Sequence, residues 1–125
     1  MNFRRRRRSY YYERHYTSVV RARTQAAATG ELARYPRHVV IVERNDGTPK
    51  MAVFQCPDGC GEILRINVSH ESGTAGWRIR QDVNSRVSLY PSIWRTTGCN
   101  AHFFFTLNVA RGFENRMPPP HRRKI

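Results

Sequence analysis

Three cysteines and one histidine have the spacing that chemistry asks for. Cys56 and Cys60 stand in Phe54-Gln55-Cys56-Pro57-Asp58-Gly59-Cys60-Gly61-Glu62, with three residues between them. Pro57 and Gly59 fix a tight turn, and Gly61 leaves the backbone beyond it free to bend. Such a turn aims two thiolates at one point. Cys99 and His102 follow in Gly98-Cys99-Asn100-Ala101-His102, with two residues between them. Two short-spaced pairs supply four soft or borderline ligands from two turns, which is what tetrahedral zinc requires. The competing explanation is buried free cysteines plus one core or surface histidine. The glycines beside both pairs and the total of four favour the metal. The 38 residues between the pairs mean that the site ties distant strands together. Cys56, Cys60, Cys99 and His102 leave no open coordination position, so one structural zinc ion is expected. Asp58 and Glu62 are also near, and Asp58 between two cysteines reads as a turn residue.

A second stretch, Val87-Ser88-Leu89-Tyr90-Pro91-Ser92-Ile93-Trp94, offers a hydroxyl. Pro91 is expected to end a strand and to present Ser92 at its tip. A serine there becomes a nucleophile only with a base in reach. On residue pattern alone, a serine turn that caps the strand end is the simpler reading. His38 opens a strand, His70 sits in loop material, and His15 and His121 lie in the terminal arms. Trp77 and Trp94 read as core aromatics flanking the metal.

Composition bounds what these residues can serve. The chain has 125 residues, 39% of them hydrophobic, which suits one small domain helped by a metal staple. No apolar run approaches the ~20 residues that span a bilayer, so no membrane partner is expected. The first arginine run is followed by tyrosines instead of an apolar stretch and fails as an export signal, which makes the reducing cytoplasm the expected compartment. The net charge of +13 is uneven. Residues 1–34 carry nine arginines against two glutamates, and residues 111–125 carry five basic residues against one glutamate. Residues 35–110 hold eight basic and six acidic residues. The basic character therefore belongs to the two ends. Arg4 to Arg8 with Tyr10, Tyr11, Tyr12 and Tyr16 fit either a solvated arm or an arm that grips phosphates and stacks on bases. A nucleic-acid-binding module acting through its arms is thus the alternative function.

The elements that must position these groups follow from pattern. Residues 1–16 read as a basic arm, and Thr17 to Ala33 as a short helix that Gly30 interrupts or ends. Strands are expected over 38–43, 50–55, 62–68, 77–81, 86–90 and 101–108, with Asn45-Asp46-Gly47 as a hairpin turn. Met117-Pro118-Pro119-Pro120 cannot join a sheet and opens a basic tail. The expectation is a mainly β protein: an arm and helix over 1–35, a small antiparallel β domain closed by zinc over 36–112, and a Pro-rich tail over 113–125.

Four of these motifs, in order, resemble the bacterial domain of unknown function 6527 family. They are Cys56-Pro57-Asp58-Gly59-Cys60-Gly61-Glu62, Gly76-Trp77-Arg78-Ile79, Ser88-Leu89-Tyr90-Pro91-Ser92-Ile93-Trp94, and Gly98-Cys99 with His102-Phe103. The resemblance covers about residues 36 to 112. Many members have a cysteine where Asp58 stands, and many have Ser-His where this chain has Ala101-His102. The resemblance implies a place beside ubiquitin-like proteins and their conjugating enzymes, as an accessory factor or a peptidase. A closed metal site argues against a metallopeptidase. An enzyme of this kind would use Ser92, or next Ser88, as nucleophile, with its base unassigned.

Overall fold

The computed structural model describes residues 10–69, 76–96, 99, 101–114 and 122–124. Among these residues there are ten strands and one helix. In chain order they are β1 (Tyr10–His15), β2 (Ser18–Ala22), α1 (Gln25–Arg34), β3 (His38–Glu43), β4 (Pro49–Gln55), β5 (Ile63–Ser69), β6 (Trp77–Gln81), β7 (Val87–Trp94), β8 (His102–Thr106), β9 (Val109–Glu114) and β10 (Arg122–Lys124). The protein is mainly β, as expected, and most neighbouring strands are antiparallel.

The hydrogen-bonded order is β1-β9-β8-β7-β6-β5-β4-β3-β2, with β10 added against β7. β1 and β2 thus lie at opposite ends of the path, yet only Tyr16 and Thr17 separate them in the chain. A two-residue link spans a few ångströms, so the sheet must curl until its ends meet. Tyr16 stands at that seam. Its ring packs on Phe54 and Phe105, with centroids 5.5 and 5.3 Å away, and its hydroxyl donates to the Gln55 carbonyl at 2.5 Å. Asn108 stitches the same place. Its carbonyl accepts from the Tyr16 N–H, its amide donates to the Val87 carbonyl, and its side-chain oxygen accepts from the Val87 N–H, at 2.8, 2.8 and 2.7 Å.

Period-two patterning decides which side each residue serves. On β3, Val39 and Ile41 enter the interior with Phe54, Ile66, Ile79, Leu89, Ile93, Phe103 and Phe105. Val40 and Val42 point the other way, against Ala28 and Leu32 of α1. Four consecutive apolar residues here mean a strand buried on both faces.

Several expectations are corrected. Residues 18–22 are a strand instead of the start of a helix, because Val19 and Val20 pair in register with Val39 and Val40. The helix is the crossover between two parallel strands, β2 and β3. It starts at Gln25, where the Thr24 hydroxyl accepts the Ala27 N–H at 3.0 Å, and runs through Gly30 to Arg34. A glycine inside a helix costs about 1 kcal/mol, which burial of Ala28 and Leu32 offsets. Residues 10–15 are not a solvated arm, since Tyr10–His15 pair with Glu114–Val109. Residues 101–108 are one strand and a turn, with Leu107 and Asn108 at φ of 50° and 64°, and a further strand follows. Pro91 does not stop its strand. β7 continues to Trp94 across a bulge between Leu89 and Ile93, where a missing N–H breaks no ladder bond. Arg4 to Arg8, His70, Met117 to Pro120 and His121 lie outside the described residues. Among the described residues, no helix is long and apolar enough to cross a membrane.

Candidate functional site

β4 delivers the chain into the first cysteine turn. The Cys56 N–H donates to the Glu62 carbonyl at 2.8 Å and closes the loop at its base. Inside it, the Asp58 carboxylate accepts the Cys60 N–H at 2.9 Å. Gly59 and Gly61 have φ of 88° and 89°, a region that a side chain enters only with strain. These two glycines let the turn fold back twice within six residues. The second turn links β7 to β8 and carries Cys99. It is closed by the Arg95 N–H, which donates to the Ala101 carbonyl at 2.8 Å.

The curl of the sheet brings these two turns together. Ligand atoms of Cys56, Asp58, Cys60 and Cys99 all lie within 4.8 Å of one another. The Cys56 and Cys99 sulfurs are 3.5 Å apart, and the Cys56 thiol donates to Asp58 at 3.3 Å. A tetrahedral ion with metal–sulfur bonds of ~2.3 Å needs sulfurs roughly 3.8 Å apart, so the group has the dimensions to hold a metal ion. Asp58 therefore stands in this group beside the three predicted cysteines, in addition to making the turn. His102 is not a member. It lies on β8, buried, paired across the ladder with Trp94.

The electrostatics suit a cationic guest. Burial pushes the Cys56 and Cys99 thiols up, so neither gives up its proton readily by itself. Burial also raises Asp58, but hydrogen bonds from Cys99, the Cys60 N–H and Cys56 outweigh it and hold the carboxyl below its usual range. A divalent cation reverses the penalty on the thiols by displacing their protons. Arg95 supplies the outer positive charge. It is buried, and its guanidinium donates to the sulfurs of Cys99 and Cys60 at 3.2 and 3.5 Å and to the Glu62 carboxylate. Sequence reasoning missed it. The available signal was an arginine directly after the apolar end of β7 and four residues before Cys99.

On the same strand, Ser88 and Ser92 are both buried. The Ser88 hydroxyl accepts the Leu107 N–H at 2.9 Å, which gives it a turn-capping task. Ser92 is not at a strand tip. It lies within β7, 1% exposed, and its carbonyl accepts the Trp77 indole N–H at 3.4 Å. Ile93 faces Phe103 across the ladder, both in the core, and Trp94 faces His102. By alternation, Ser92 shares the face of Trp94 and His102, one diagonal step from the histidine. The Tyr12 hydroxyl donates to the His102 carbonyl at 3.3 Å. Its ring reaches there over Gly112, where a Cβ would lie 2.6 Å from the hydroxyl and 2.5 Å from the His102 carbonyl.

Residues 24–111 match the family described as the bacterial ubiquitination-like system serine protease (BubE). That is well over half of the chain, and the chain belongs to this family. No curated protein and no solved structure matches it.

Proposed function

We propose that this protein is a serine peptidase that processes the ubiquitin-like protein of a bacterial conjugation system, or a precursor of it. Ser92 is its nucleophile, His102 its base, and a zinc ion held by Cys56, Asp58, Cys60 and Cys99 its structural staple. Within the family, the four motifs point to the narrower kinship with the domain of unknown function 6527. One observation carries the assignment of roles. Three cysteines and Asp58 make a complete group of four without His102. The histidine that spacing had given to the metal is then not required there, and the β7/β8 register supports its placement one diagonal step from Ser92.

Zinc in such a closed set supplies rigidity and offers no water for attack. The nucleophile must then come from the chain. Ser92 Oγ attacks the scissile carbonyl while the His102 imidazole takes the hydroxyl proton. The tetrahedral adduct collapses, the His102 proton passes to the departing amine, and the acyl-serine is hydrolysed by water that His102 activates in turn. The staple holds the β4–β5 turn against the β7–β8 turn, so it fixes the end of β7 that bears Ser92. Conjugating enzymes of the same system are the further expected partners.

The test is incubation of a purified ubiquitin-like precursor with the wild-type protein and with Ser92→Ala. Cleavage by the first alone is expected, with a fluorophosphonate probe labelling Ser92. Cleavage that persists in Ser92→Ala removes the serine mechanism. If no cognate precursor is cleaved, the peptidase reading falls and a binding role in the same system takes its place.

A further inference from the structure

β7 has two edges, and they are used unequally. β8 holds one edge through Trp94. On the other, β6 pairs only from Gln81↔Val87 as far as Arg78↔Tyr90. The backbone from Ser92 to Trp94 would be left open on that side. It is instead taken by β10, which runs parallel to β7 with Arg122 opposite Ser92, Arg123 opposite Ile93 and Lys124 opposite Trp94. A three-residue parallel ladder on one side of a sheet is a weak element, since few bonds offset the entropy of ordering it. It forms where an edge with unmet N–H and C=O groups invites any extended chain.

We propose that this edge is a binding site for an extended segment of a polypeptide substrate, laid parallel to β7 over Ser92–Trp94, and that β10 is its built-in competitor. The proposal rests on the peptidase reading for the identity of the guest as substrate, but the edge itself is defined by strand pairing. Recognition is by backbone hydrogen bonds, so it asks of the guest that it be extended and unfolded, as the tail of a ubiquitin-like precursor would be. The register places such a segment directly beside the proposed nucleophile, which is buried while β10 is in place. β10 is tethered to β9 by the seven residues 115–121. A tether that short gives an effective concentration in the millimolar range, enough for a weak strand to exclude a dilute rival. Substrate must therefore displace β10, and whatever draws β10 away raises activity.

The experiment uses the full chain carrying Ser92→Ala, so that binding is read without cleavage. In one version, Arg122→Pro, Arg123→Pro and Lys124→Pro are added, which removes every N–H donor from β10. The probe is a fluorescein-labelled peptide of this chain's residues 116–125, read by fluorescence anisotropy, with hydrogen exchange of the 92–94 amides followed in parallel. The proline version is expected to bind the peptide at least tenfold more tightly. Its 92–94 amides should exchange faster than in the unaltered chain and slow again when peptide is added. Equal affinities, or exchange at 92–94 unaffected by the prolines, overturn the proposal. Should the proline version unfold, the unaltered chain titrated to millimolar peptide decides instead: shifts of the 92–94 amide resonances support the edge, and shifts confined elsewhere reject it. Failure of the peptidase reading looks different. Cleavage is read separately, on the same two β10 versions with Ser92 restored. Peptide binding with no precursor cleavage keeps the edge and removes the enzyme, whereas cleavage with equal KM in both and no peptide binding keeps the enzyme and removes the edge.

Discussion

Asp58 carries two tasks that a pair of substitutions can separate. Its carboxylate accepts the Cys60 N–H and also stands among the four groups that can enclose an ion. Asp58→Asn keeps a side-chain oxygen for the turn and removes the charge. Asp58→Ala removes both. Structural zinc sites bind with about 10–16 kcal/mol in all, so one ligand of four is worth about 3 kcal/mol. At 1.4 kcal/mol per decade, Asp58→Asn should weaken zinc binding roughly 100-fold. Asp58→Ala also loses a charge-assisted hydrogen bond worth about 1.5–3 kcal/mol, and should fall at least a further tenfold. Asp58→Cys should bind more tightly than wild type. Cobalt(II) substitution reads the ligands directly. The thiolate-to-metal charge-transfer band should keep its three-sulfur intensity in Asp58→Asn and rise by about a third in Asp58→Cys, while His102→Gln should leave it unchanged. The reasoning fails if His102→Gln loses the metal and Asp58→Asn keeps it at wild-type affinity. That outcome would restore histidine as the fourth ligand and leave Ser92, the proposed nucleophile, without its proposed base.

Other consequences are simpler to state. Ser92→Ala and His102→Gln should each lower precursor cleavage by about 10³-fold or more with circular dichroism unchanged, and together they should cost little more than either one. Gly112→Ala places a methyl group against the Tyr12 ring and the His102 carbonyl, so it should destabilise by about 1–3 kcal/mol in urea titration and impair cleavage without touching zinc. Burial pushes the Tyr16 hydroxyl well above its ordinary 10.0. The stability it contributes is therefore complete below pH 10 and is lost as pH rises beyond it. Alkaline unfolding should release tyrosinate absorbance together with loss of structure, and Tyr16→Phe should flatten that pH dependence while costing about 1 kcal/mol at neutral pH. If the arginine-rich arm binds nucleic acid, replacing Arg4 to Arg8 by glutamine should weaken DNA binding and lower its salt slope by several units.

The part of the fold legible in the sequence was the part written in local pattern. β3, β4, β5 and β6 read as strands because apolar runs or alternation are bounded by turn residues such as Asn45-Asp46-Gly47. The cysteine turn was legible because Pro57, Gly59 and Gly61 permit few other shapes. What escaped depended on partners far away in the chain. Residues 18–22 look helical beside an alanine run, and only Val39 and Val40 make them a strand. β1 hides inside an arginine-tyrosine stretch because its partner, β9, lies about a hundred residues later. Pro91 reads as a terminator until β8 is seen to resume pairing past the bulge. The fourth member of the cluster followed the same rule. Spacing favoured His102, whereas the four groups that lie within 4.8 Å of one another include Asp58, a residue already explained by its turn.

The pairing of β1 with β9 also has a meaning in time. Tyr10–His15 leave the ribosome early, and their partners from Val109 to Glu114 are made about a hundred residues later. At 5–20 residues per second, that strand waits about 5–20 s with its edge unsatisfied. Arginine and tyrosine in place of valine and isoleucine keep the waiting segment hydrated and poor in aggregation-prone apolar runs. The seam at Tyr16 closes only once Asn108 exists, so curling of the sheet and burial of the tyrosine wait for a residue made about ninety positions later, as the cysteine cluster waits for Cys99. A truncated chain that ends before Asn108 keeps Tyr16 but lacks the residue that stitches it, and would reach the cell's proteases with its seam open.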